Sequence, residues 1–130
     1  MILIDSSAWV EFLRGTGSAV CEEVDRLLDD DMAISDPVLM EVLAGARDER
    51  HLHDLRALLG RAQMLHCGPP DFDAAAVLYR RCRYGGETIR RLIDCLIGAV
   101  AIRTAVPVLH SDSDFDVLAR HSELVIQPVA

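Results

Sequence analysis

The sequence predicts an α/β protein, a three-layer α/β/α sandwich with a central parallel sheet. Short apolar runs alternate with longer segments of helical periodicity along the chain. Strands separated by helices in this way pair in parallel through right-handed crossovers. The chain has 130 residues, of which 51% are hydrophobic, and this length suits one packed core. We therefore expect a single domain over residues 1–130.

The first predicted elements are a strand and two helices. Residues 1–4 are a short apolar run that ends at Asp5, which is typical of a buried strand. Residues 6–14 follow helical spacing, with a serine hydroxyl expected at the N-cap and Gly15 after the last turn. Residues 18–30 place their apolar side chains on one helical face, which predicts the second helix.

The middle of the chain repeats this alternation. Residues 32–35 form a second apolar run and are predicted as a strand. Residues 36–44 are predicted as a helix, because an aspartate suited to the N-cap precedes a proline suited to the first turn. Another helix begins at Asp48 and carries four leucines at helical spacing, and residues 64–66 predict a short strand.

The last part of the chain contains the longest helices. Residues 69–84 predict a helix that the following glycine pair ends. Residues 88–104 predict the most apolar helix, and a helix that is apolar nearly all round is buried. The remaining predicted elements are a strand, a short helix and a last strand, over residues 106–110, 115–120 and 124–128.

Composition restricts the function classes. Asp and Glu total 21 against 13 basic residues, all of them arginine, so the net charge is −8. This charge opposes ordinary nucleic-acid binding, which depends on cations that neutralise phosphates. No apolar run is long enough to span a membrane, and no signal peptide precedes the first strand, so we expect a soluble cytoplasmic protein. The four cysteines lack metal-site spacing and are expected to be buried free thiols.

Carboxylates follow two of the predicted strands. Asp5 comes directly after the first strand, and Asp112 and Asp114 follow the strand at residues 106–110. Open α/β folds place ligands at the carboxyl ends of parallel strands. Each of these aspartates has an alternative role as the N-cap of the helix that follows it.

Asp94 lies within the most apolar predicted helix. A buried, unpaired carboxylate costs several kcal/mol unless a cation or hydrogen bonds compensate for its lost solvation. The alternative is an ion pair within the helix, since Arg90 and Arg91 precede Asp94 by four and three residues. Glu41 is the only charge in its apolar stretch of residues 37–44, and its ordinary interpretation is an exposed helical side chain.

The topology could bring Asp5, Glu41, Asp94 and Asp112 to one edge of the sheet. Two carboxylates 4 Å apart repel by about 4 kcal/mol at an effective dielectric constant near 20. A divalent cation reverses the sign of this interaction, and Mg²⁺ prefers carboxylate oxygens and retained waters. The pattern therefore favours a cation site over an anion site.

Four short motifs resemble those of PIN-domain ribonucleases. They are Ile-Leu-Ile-Asp-Ser-Ser-Ala, Met-Glu-Val-Leu, Asp-Cys-Leu-Ile-Gly-Ala and Asp-Ser-Asp-Phe, which contain Asp5, Glu41, Asp94 and Asp112 in that order. Their order and spacing match over residues 1–129, and the size is that of the VapC toxins of bacterial toxin–antitoxin pairs. The resemblance implies a PIN-like fold and a Mg²⁺-dependent endoribonuclease, with Mn²⁺ as an alternative metal. It further implies a cognate VapB antitoxin, a homodimer and an RNA substrate such as a tRNA or another structured RNA.

The resemblance also suggests roles for the acidic residues. Asp5, Glu41, Asp94 and Asp112 match the acidic quartet. Asp5 and Asp94 are expected to bind the metal directly, and the other two to hold metal-bound waters, complete a second metal shell or orient the nucleophile. Ser7 and Asp114 match auxiliary positions. His110 stands where many members have threonine, so Ser111 is the candidate to supply that hydroxyl contact.

Five arginines surround the glycine pair that follows residues 69–84: Arg80, Arg81, Arg83, Arg90 and Arg91. Arginine binds phosphate through two parallel hydrogen bonds, so this group is a candidate RNA-binding patch. The alternative is a solvated helix face that pairs with the abundant aspartates. The helix at residues 6–14 is a candidate antitoxin surface, unless its Trp9 belongs to the core.

Two other functions remain open from the sequence. A histidine-dependent ribonuclease would use His66 and His110 without a metal. A non-enzymatic phosphoacceptor signalling domain would also combine several aspartates with Mg²⁺ on an α/β sheet. The phosphoacceptor normally requires a lysine in its pocket, and this chain has none.

Overall fold

A computed structural model describes residues 1–129 and contains a four-stranded parallel sheet. The strands are β1 (Ile2–Ile4), β2 (Met32–Ser35), β3 (Gln63–Leu65) and β4 (Val108–Leu109). Their order across the sheet is β3-β2-β1-β4, so β1 is central and pairs through Leu3 with both Ala33 and Val108. All four strands therefore end at the same edge of the sheet, as the alternating sequence pattern predicts.

Seven helices cover the sheet. They are α1 (Ser6–Arg14), α2 (Ala19–Leu27), α3 (Asp36–Ala44), α4 (Glu49–Leu59), α5 (Pro69–Tyr84), α6 (Leu92–Thr104) and α7 (Ser113–Arg120). The main helix contacts join α1 with α2 and α3, α3 with α4, and α5 with α6 and α7. These two groups of helices agree with the predicted three-layer α/β/α sandwich.

The core lies between the helices and the central strands. Trp9 and Phe115 are its largest fully buried side chains, and β1 contributes Leu3 and Ile4. Trp9 is therefore a core residue and not part of an exposed antitoxin surface. Within residues 1–129, no helix is long and apolar enough to cross a membrane.

Several predicted bounds differ from the structure: α2 ends at Leu27 and not at residue 30, β4 is shorter than residues 106–110, and β3 and α7 begin one or two residues earlier than predicted. Two further differences have identifiable causes. The helix expected over residues 88–104 begins only at Leu92, because Arg91 has an extended backbone (φ −122°, ψ 112°). The strand expected over residues 124–128 is reduced to an isolated parallel bridge between Val108 and Ile126. Two backbone hydrogen bonds accompany this bridge, from Val108 to Val125 and from Gln127 to Val108. The segment thus extends the β4 edge without forming a regular strand.

The N-cap residues of two helices differ from those predicted, although the bounds of both helices agree. Asp5, not a serine, is the N-cap of α1, and its side chain accepts from the backbone N–H of Ser7. Ser35 is the N-cap of α3, because the Asp36 carboxylate instead accepts from the backbone N–H of Cys67. The cysteines are free, as expected, but Cys67 is only half-buried, as is the cysteine at position 21.

Candidate active site

The carboxyl edge of the sheet brings together acidic side chains from separate elements. Asp5 follows β1, Asp112 and Asp114 follow β4, and Asp94 lies in the first turn of α6. Asp94, Asp112 and Asp114 each offer an oxygen, and these three atoms lie within 4.8 Å of one another. Asp94 thus meets two acids that follow β4, and Asp5 lies close enough for its charge to raise the pKa of Asp94. We call Asp5, Asp94, Asp112 and Asp114 the carboxylate cluster.

Asp5 is 2% exposed and uses only one of its carboxylate oxygens locally. Its Oδ2 accepts from the Ser7 backbone N–H at 3.0 Å and from the Ser7 hydroxyl at 2.6 Å. Its Oδ1 is buried and has no hydrogen-bond partner among residues 1–129. Burial raises the pKa of Asp5, although the Ser7 hydrogen bonds oppose the shift. Helix capping therefore leaves one oxygen available to a ligand.

Asp94 is a buried carboxylate beside other carboxylates. It is 1% exposed, and its Oδ2 has no hydrogen-bond partner in the described part of the chain. Burial and then the nearby Asp5 carboxylate raise the pKa of Asp94 well above the ordinary value. The ion pair within the helix is not observed, since the guanidinium groups of Arg90 and Arg91 hydrogen-bond to other carboxylates.

Asp112 and Asp114 are held by arginine. Asp112 Oδ1 caps α7 by accepting from the Asp114 backbone N–H, and accepts from Arg90 Nη2 at 2.6 Å. Asp114 is 2% exposed and accepts from Arg90 Nε at 3.2 Å. The backbone N–H groups of Arg90 and Arg91 also donate to Asp114. Burial raises the pKa of Asp114, but these hydrogen bonds and one with Asp94 outweigh burial and lower the pKa overall. The hydrogen bond between Asp94 and Asp114 thus acts in opposite directions on the two residues, raising the pKa of Asp94 and lowering that of Asp114.

Glu41 joins the edge of the cluster from α3. Its Oε1 accepts from the Ser6 hydroxyl at 3.1 Å, and its Oε2 pairs with Arg91. Its side chain is 20% exposed, so the interpretation as an ordinary solvent-exposed helical residue is wrong. The Ser6 and Arg91 contacts were not predicted, since they join residues 35 and 50 positions apart.

Ser7 connects the ends of β1 and β4. Its hydroxyl donates to Asp5 and accepts from the Ser111 backbone N–H at 2.9 Å. Ser111 thus makes this contact through its backbone N–H, whereas the sequence predicts a contact through its hydroxyl group. Ser7 holds the Asp5 carboxylate in place beside the segment that carries Asp112 and Asp114.

The two histidines of the alternative ribonuclease lie apart. His110 follows β4, accepts from the Asp112 backbone N–H at 3.1 Å and packs on Phe115 with ring centroids 5.3 Å apart. His66 follows β3 at the opposite edge of the sheet and pairs with Asp36. Three strand spacings of roughly 4.8 Å separate these edges. The arrangement gives no shared site to a pair of histidine catalysts.

The five arginines form two groups. Arg90 and Arg91 bind the carboxylates of the cluster and of Glu41, whereas the other three lie on the last turns of α5. Arg81 approaches Glu123 to 3.9 Å. The expected single patch around the glycine pair is therefore divided between the acidic site and an outer helix face.

The segment between α5 and α6 is held at both of its ends. Gly85 packs so closely on His121 that a Cβ at this position would lie 2.3 Å from the imidazole Cε1. Glu87 accepts from Arg120 at 3.0 Å and contacts His121 at 2.9 Å, and these hydrogen bonds lower its pKa to about 2. The other end carries Arg90, which binds the carboxylate cluster. These contacts set the position of the two site arginines.

The donor atoms of the cluster fit a hard divalent cation. The unpartnered oxygens of Asp5 and Asp94 are buried polar atoms, and burial without a partner costs roughly 1–3 kcal/mol per group. The ligand atoms are carboxylate oxygens, the type that Mg²⁺ and Mn²⁺ prefer. A bound cation would offset the repulsion between Asp5 and Asp94, which raises the pKa of Asp94 in addition to burial.

Comparisons with known proteins give one consistent family. A family model described as PIN domain matches residues 2–121. Ribonuclease VapC11 of Mycobacterium tuberculosis and VapC ribonuclease Mb1587 of Mycobacterium bovis are each 46% identical over 128 residues, which is 95% of this chain and 96% of the relative.

Solved structures with the same fold include toxin–antitoxin complexes. VapBC2 from Rickettsia felis, bound to a DNA fragment of its promoter, has a TM-score of 0.78, 19% identity and full coverage of both chains. VapC20 from Mycobacterium tuberculosis, a toxin that cleaves the sarcin–ricin loop, has a TM-score of 0.70 and 19% identity, and covers 96% of this chain and 99% of its own. At these identities the likeness to solved structures concerns the fold.

Proposed function

The chain belongs to the PIN domain family, among its VapC ribonucleases, and from this premise we propose that it is a metal-dependent endoribonuclease toxin. It hydrolyses RNA phosphodiester bonds and is neutralised by a cognate VapB-type antitoxin. The observation that carries the proposal is the carboxylate cluster, in which two buried aspartate oxygens lack partners within residues 1–129. A nuclease of this class needs a cation at that position.

We assign Asp5 and Asp94 to direct binding of Mg²⁺, because each has a buried oxygen without a hydrogen bond in the described chain. Bound Mg²⁺ supplies positive charge against the phosphate and lowers the pKa of a bound water. Asp112 offers a further oxygen to the cluster, and Glu41, at its edge, orients water. Mn²⁺ suits the same donor set.

Other residues hold the ligands in place. Ser7 fixes the Asp5 carboxylate by donating to Oδ2, which leaves Oδ1 for the cation. Asp114 orients Arg90 and shares a hydrogen bond with Asp94. Its burial and its oxygen within the cluster give it a larger part than the auxiliary one expected from the sequence.

The proposed partners follow from the relatives. We infer an RNA substrate, such as a tRNA or another structured RNA, and a VapB-type antitoxin, because the structural neighbours include VapBC complexes. A homodimer, a cytoplasmic location and a single PIN domain over residues 1–130 belong to the same proposal. The phosphoacceptor alternative has no support from family membership, since the relatives are ribonucleases.

The test is cleavage of bacterial total RNA with mapping of the new 5′ ends. The wild-type protein is incubated with RNA in Mg²⁺, in Mn²⁺ and in EDTA, beside Asp5→Asn and Asp94→Asn. Asp36→Asn is the matched control, because Asp36 also follows a strand but binds His66 and the Cys67 backbone instead of the cluster.

We expect metal-dependent cleavage that leaves 5′-phosphate ends in the wild type and in Asp36→Asn. Asp5→Asn and Asp94→Asn should be inactive although folded. Full cleavage in EDTA, or wild-type rates in Asp94→Asn, would contradict the proposal. A stable acyl-phosphate on Asp5 or Asp112 after incubation with acetyl phosphate and Mg²⁺, without RNA cleavage, would favour the phosphoacceptor.

A further inference from the structure

The outward face of α5 combines arginine with exposed aromatic rings. The inward face of this helix buries Ala75, Leu78 and Cys82 against the core. On the opposite face, Arg80 and Tyr84 are one turn apart, and Tyr84 is 83% exposed. The Tyr84 ring is therefore accessible to a ligand.

The arginines on this face lie against tyrosine rings. The Arg80 guanidinium carbon is 6.0 Å from the Tyr84 ring centroid, and that of Arg83 is 5.9 Å from the Tyr79 centroid. Among residues 1–129, neither Arg80 nor Arg83 forms an ion pair with a side-chain carboxylate. Their charge is therefore available to an anion, in a chain whose net charge is −8.

Two clefts meet at Arg80. The outer cleft has a volume of about 420 Å³ and is lined by Arg80, Arg83 and Tyr84. The inner cleft, of about 410 Å³, is lined by Ala76, Tyr79, Arg80, Ile89, Arg90 and Leu92. Arg90 at the end of the inner cleft hydrogen-bonds to Asp112 and Asp114. The two clefts thus form a path from the carboxylate cluster along α5, which we call the α5 track.

We propose that the α5 track binds single-stranded RNA next to the bond that is cleaved. An unpaired base stacks on Tyr84, and the phosphates of the strand contact Arg80 and Arg83. This inference rests on the proposed ribonuclease function and adds a binding surface to it: the outward face of α5 holds the strand that leads to the carboxylate cluster. Proteins that bind single strands commonly combine a cationic groove with such aromatic platforms.

The chemistry of the track favours RNA over a protein partner. The outer cleft is lined by two arginines and a tyrosine, a combination that accepts phosphates and base faces together. A mainly apolar groove lies between α3, α5 and α6, where it exposes Met40 and Phe72 and shares Leu92 with the inner cleft. The net charge of −8 opposes RNA binding. The track offsets this locally, because it places Arg80 and Arg83, which have no carboxylate partner among residues 1–129, beside the acidic site.

The test is fluorescence anisotropy with a fluorescein-labelled single-stranded RNA of about 12 nucleotides, within the site sizes of single-strand binders. Binding is measured in EDTA, which separates it from metal-dependent cleavage, and over a series of NaCl concentrations. The variants are Tyr84→Ala, Tyr84→Phe, Arg80→Gln and Arg83→Gln. Arg56→Gln is the control for charge, because Arg56 lies on α4, outside the track.

We expect Tyr84→Ala to weaken RNA binding about tenfold with an unchanged salt dependence, since a lost stack removes no phosphate contact. Tyr84→Phe should bind as the wild type does. Arg80→Gln and Arg83→Gln should each reduce the slope of log affinity against log salt by about 0.7, the value per phosphate for single strands. Arg56→Gln should leave the slope unchanged.

Three results would overturn the inference. They are no binding by the wild type, unchanged affinity in Tyr84→Ala, and stronger binding to the same RNA annealed to its complement. If Tyr84→Ala instead changed the sedimentation mass with RNA affinity unaltered, the face would be a protein interface. RNA binding in EDTA without cleavage in Mg²⁺ would be a failure of the proposed catalytic function alone.

Discussion

Asp94 and Asp71 are equally hidden from solvent but have opposite electrostatics. Asp94 is 1% exposed and Asp71 is 4% exposed. Both oxygens of Asp71 are occupied: Arg103 donates to each of them, and the Gly68 backbone N–H donates to Oδ2. The Arg103 hydrogen bonds lower the pKa of Asp71 despite its burial, whereas burial raises the pKa of Asp94.

The difference separates a structural carboxylate from a candidate ligand. Asp71 has no capacity left for a cation, because its charge is already neutralised by an adjacent guanidinium group. Asp94 has an unpartnered oxygen, within residues 1–129, next to other carboxylates. Burial of an acid by itself is therefore not a sign of function, and the state of its hydrogen bonds distinguishes the two cases.

The largest expected contrast between these residues is in catalysis. Asp94→Asn should lower the rate of RNA cleavage by about three orders of magnitude, since loss of a metal ligand removes several kcal/mol of transition-state stabilisation. Asp71→Asn should retain cleavage at temperatures where it is folded. Initial rates on the same RNA measure both, and equal losses in the two variants would refute the distinction.

The second contrast is in folding without metal. Asp71→Asn should lower the free energy of unfolding by about 2 kcal/mol, because it weakens charged hydrogen bonds to a buried carboxylate. Asp94→Asn should raise the free energy of unfolding in EDTA at neutral pH, because it removes a carboxylate whose ionisation is opposed by burial. Urea denaturation in EDTA gives both values. If Asp94→Asn were less stable than the wild type, the hydrogen bonds of the Asp94 carboxyl group would outweigh its repulsion by the neighbouring carboxylates.

A third contrast is the response to metal. At about ten times its dissociation constant, Mg²⁺ should raise the Tm of the wild type and of Asp71→Asn by about 5 °C. It should leave the Tm of Asp94→Asn unchanged. Thermal unfolding with and without MgCl₂ measures this, with CaCl₂ as a comparison for cation type. Equal stabilisation of all three proteins would place the cation elsewhere.

The smallest contrast is in pH dependence without metal. The pKa of Asp94 is raised in the folded protein. The stability that Asp94→Asn gains over the wild type should therefore be absent below about pH 4, the ordinary aspartate range, and should grow as pH rises. The pKa of Asp71 is lowered in the folded protein. Its contribution to the free energy of unfolding is therefore present above the ordinary aspartate range and is lost as pH falls through the pKa of the folded state. Tm differences from the wild type across pH in EDTA test both signs.

Much of the fold could be predicted from local pattern. The bounds of β2, α1, α3 and α5 agree with the predictions, because β2 is a short buried apolar run and each of the three helices has a capping residue, proline or glycine at its ends. The start of α6 could not be predicted in this way. Its apolar periodicity extends back to residue 88, but the backbone N–H groups of Arg90 and Arg91 bind the distant Asp114 and are unavailable to an earlier helical turn.

The acidic residues were also visible in the sequence, but their partners were not. Asp5 and Asp94 stand out because a strand end and an apolar helix are unusual positions for a carboxylate. The sequence makes Arg90 and Arg91 candidates for RNA binding, but in the structure they bind the acids of the site. Asp71 was not singled out, since its burial depends on Arg103, 32 residues away.

The amino-acid sequence alone determined the alternation of strands and helices and the positions of the acids along the chain. Periodicity, capping residues and turn formers act over a few residues, so they can be read directly from the order of the residues. Only the tertiary structure decided which acids keep an unpartnered oxygen and which are neutralised by arginine. Those properties depend on burial and on contacts between residues far apart in the chain, which local pattern does not specify.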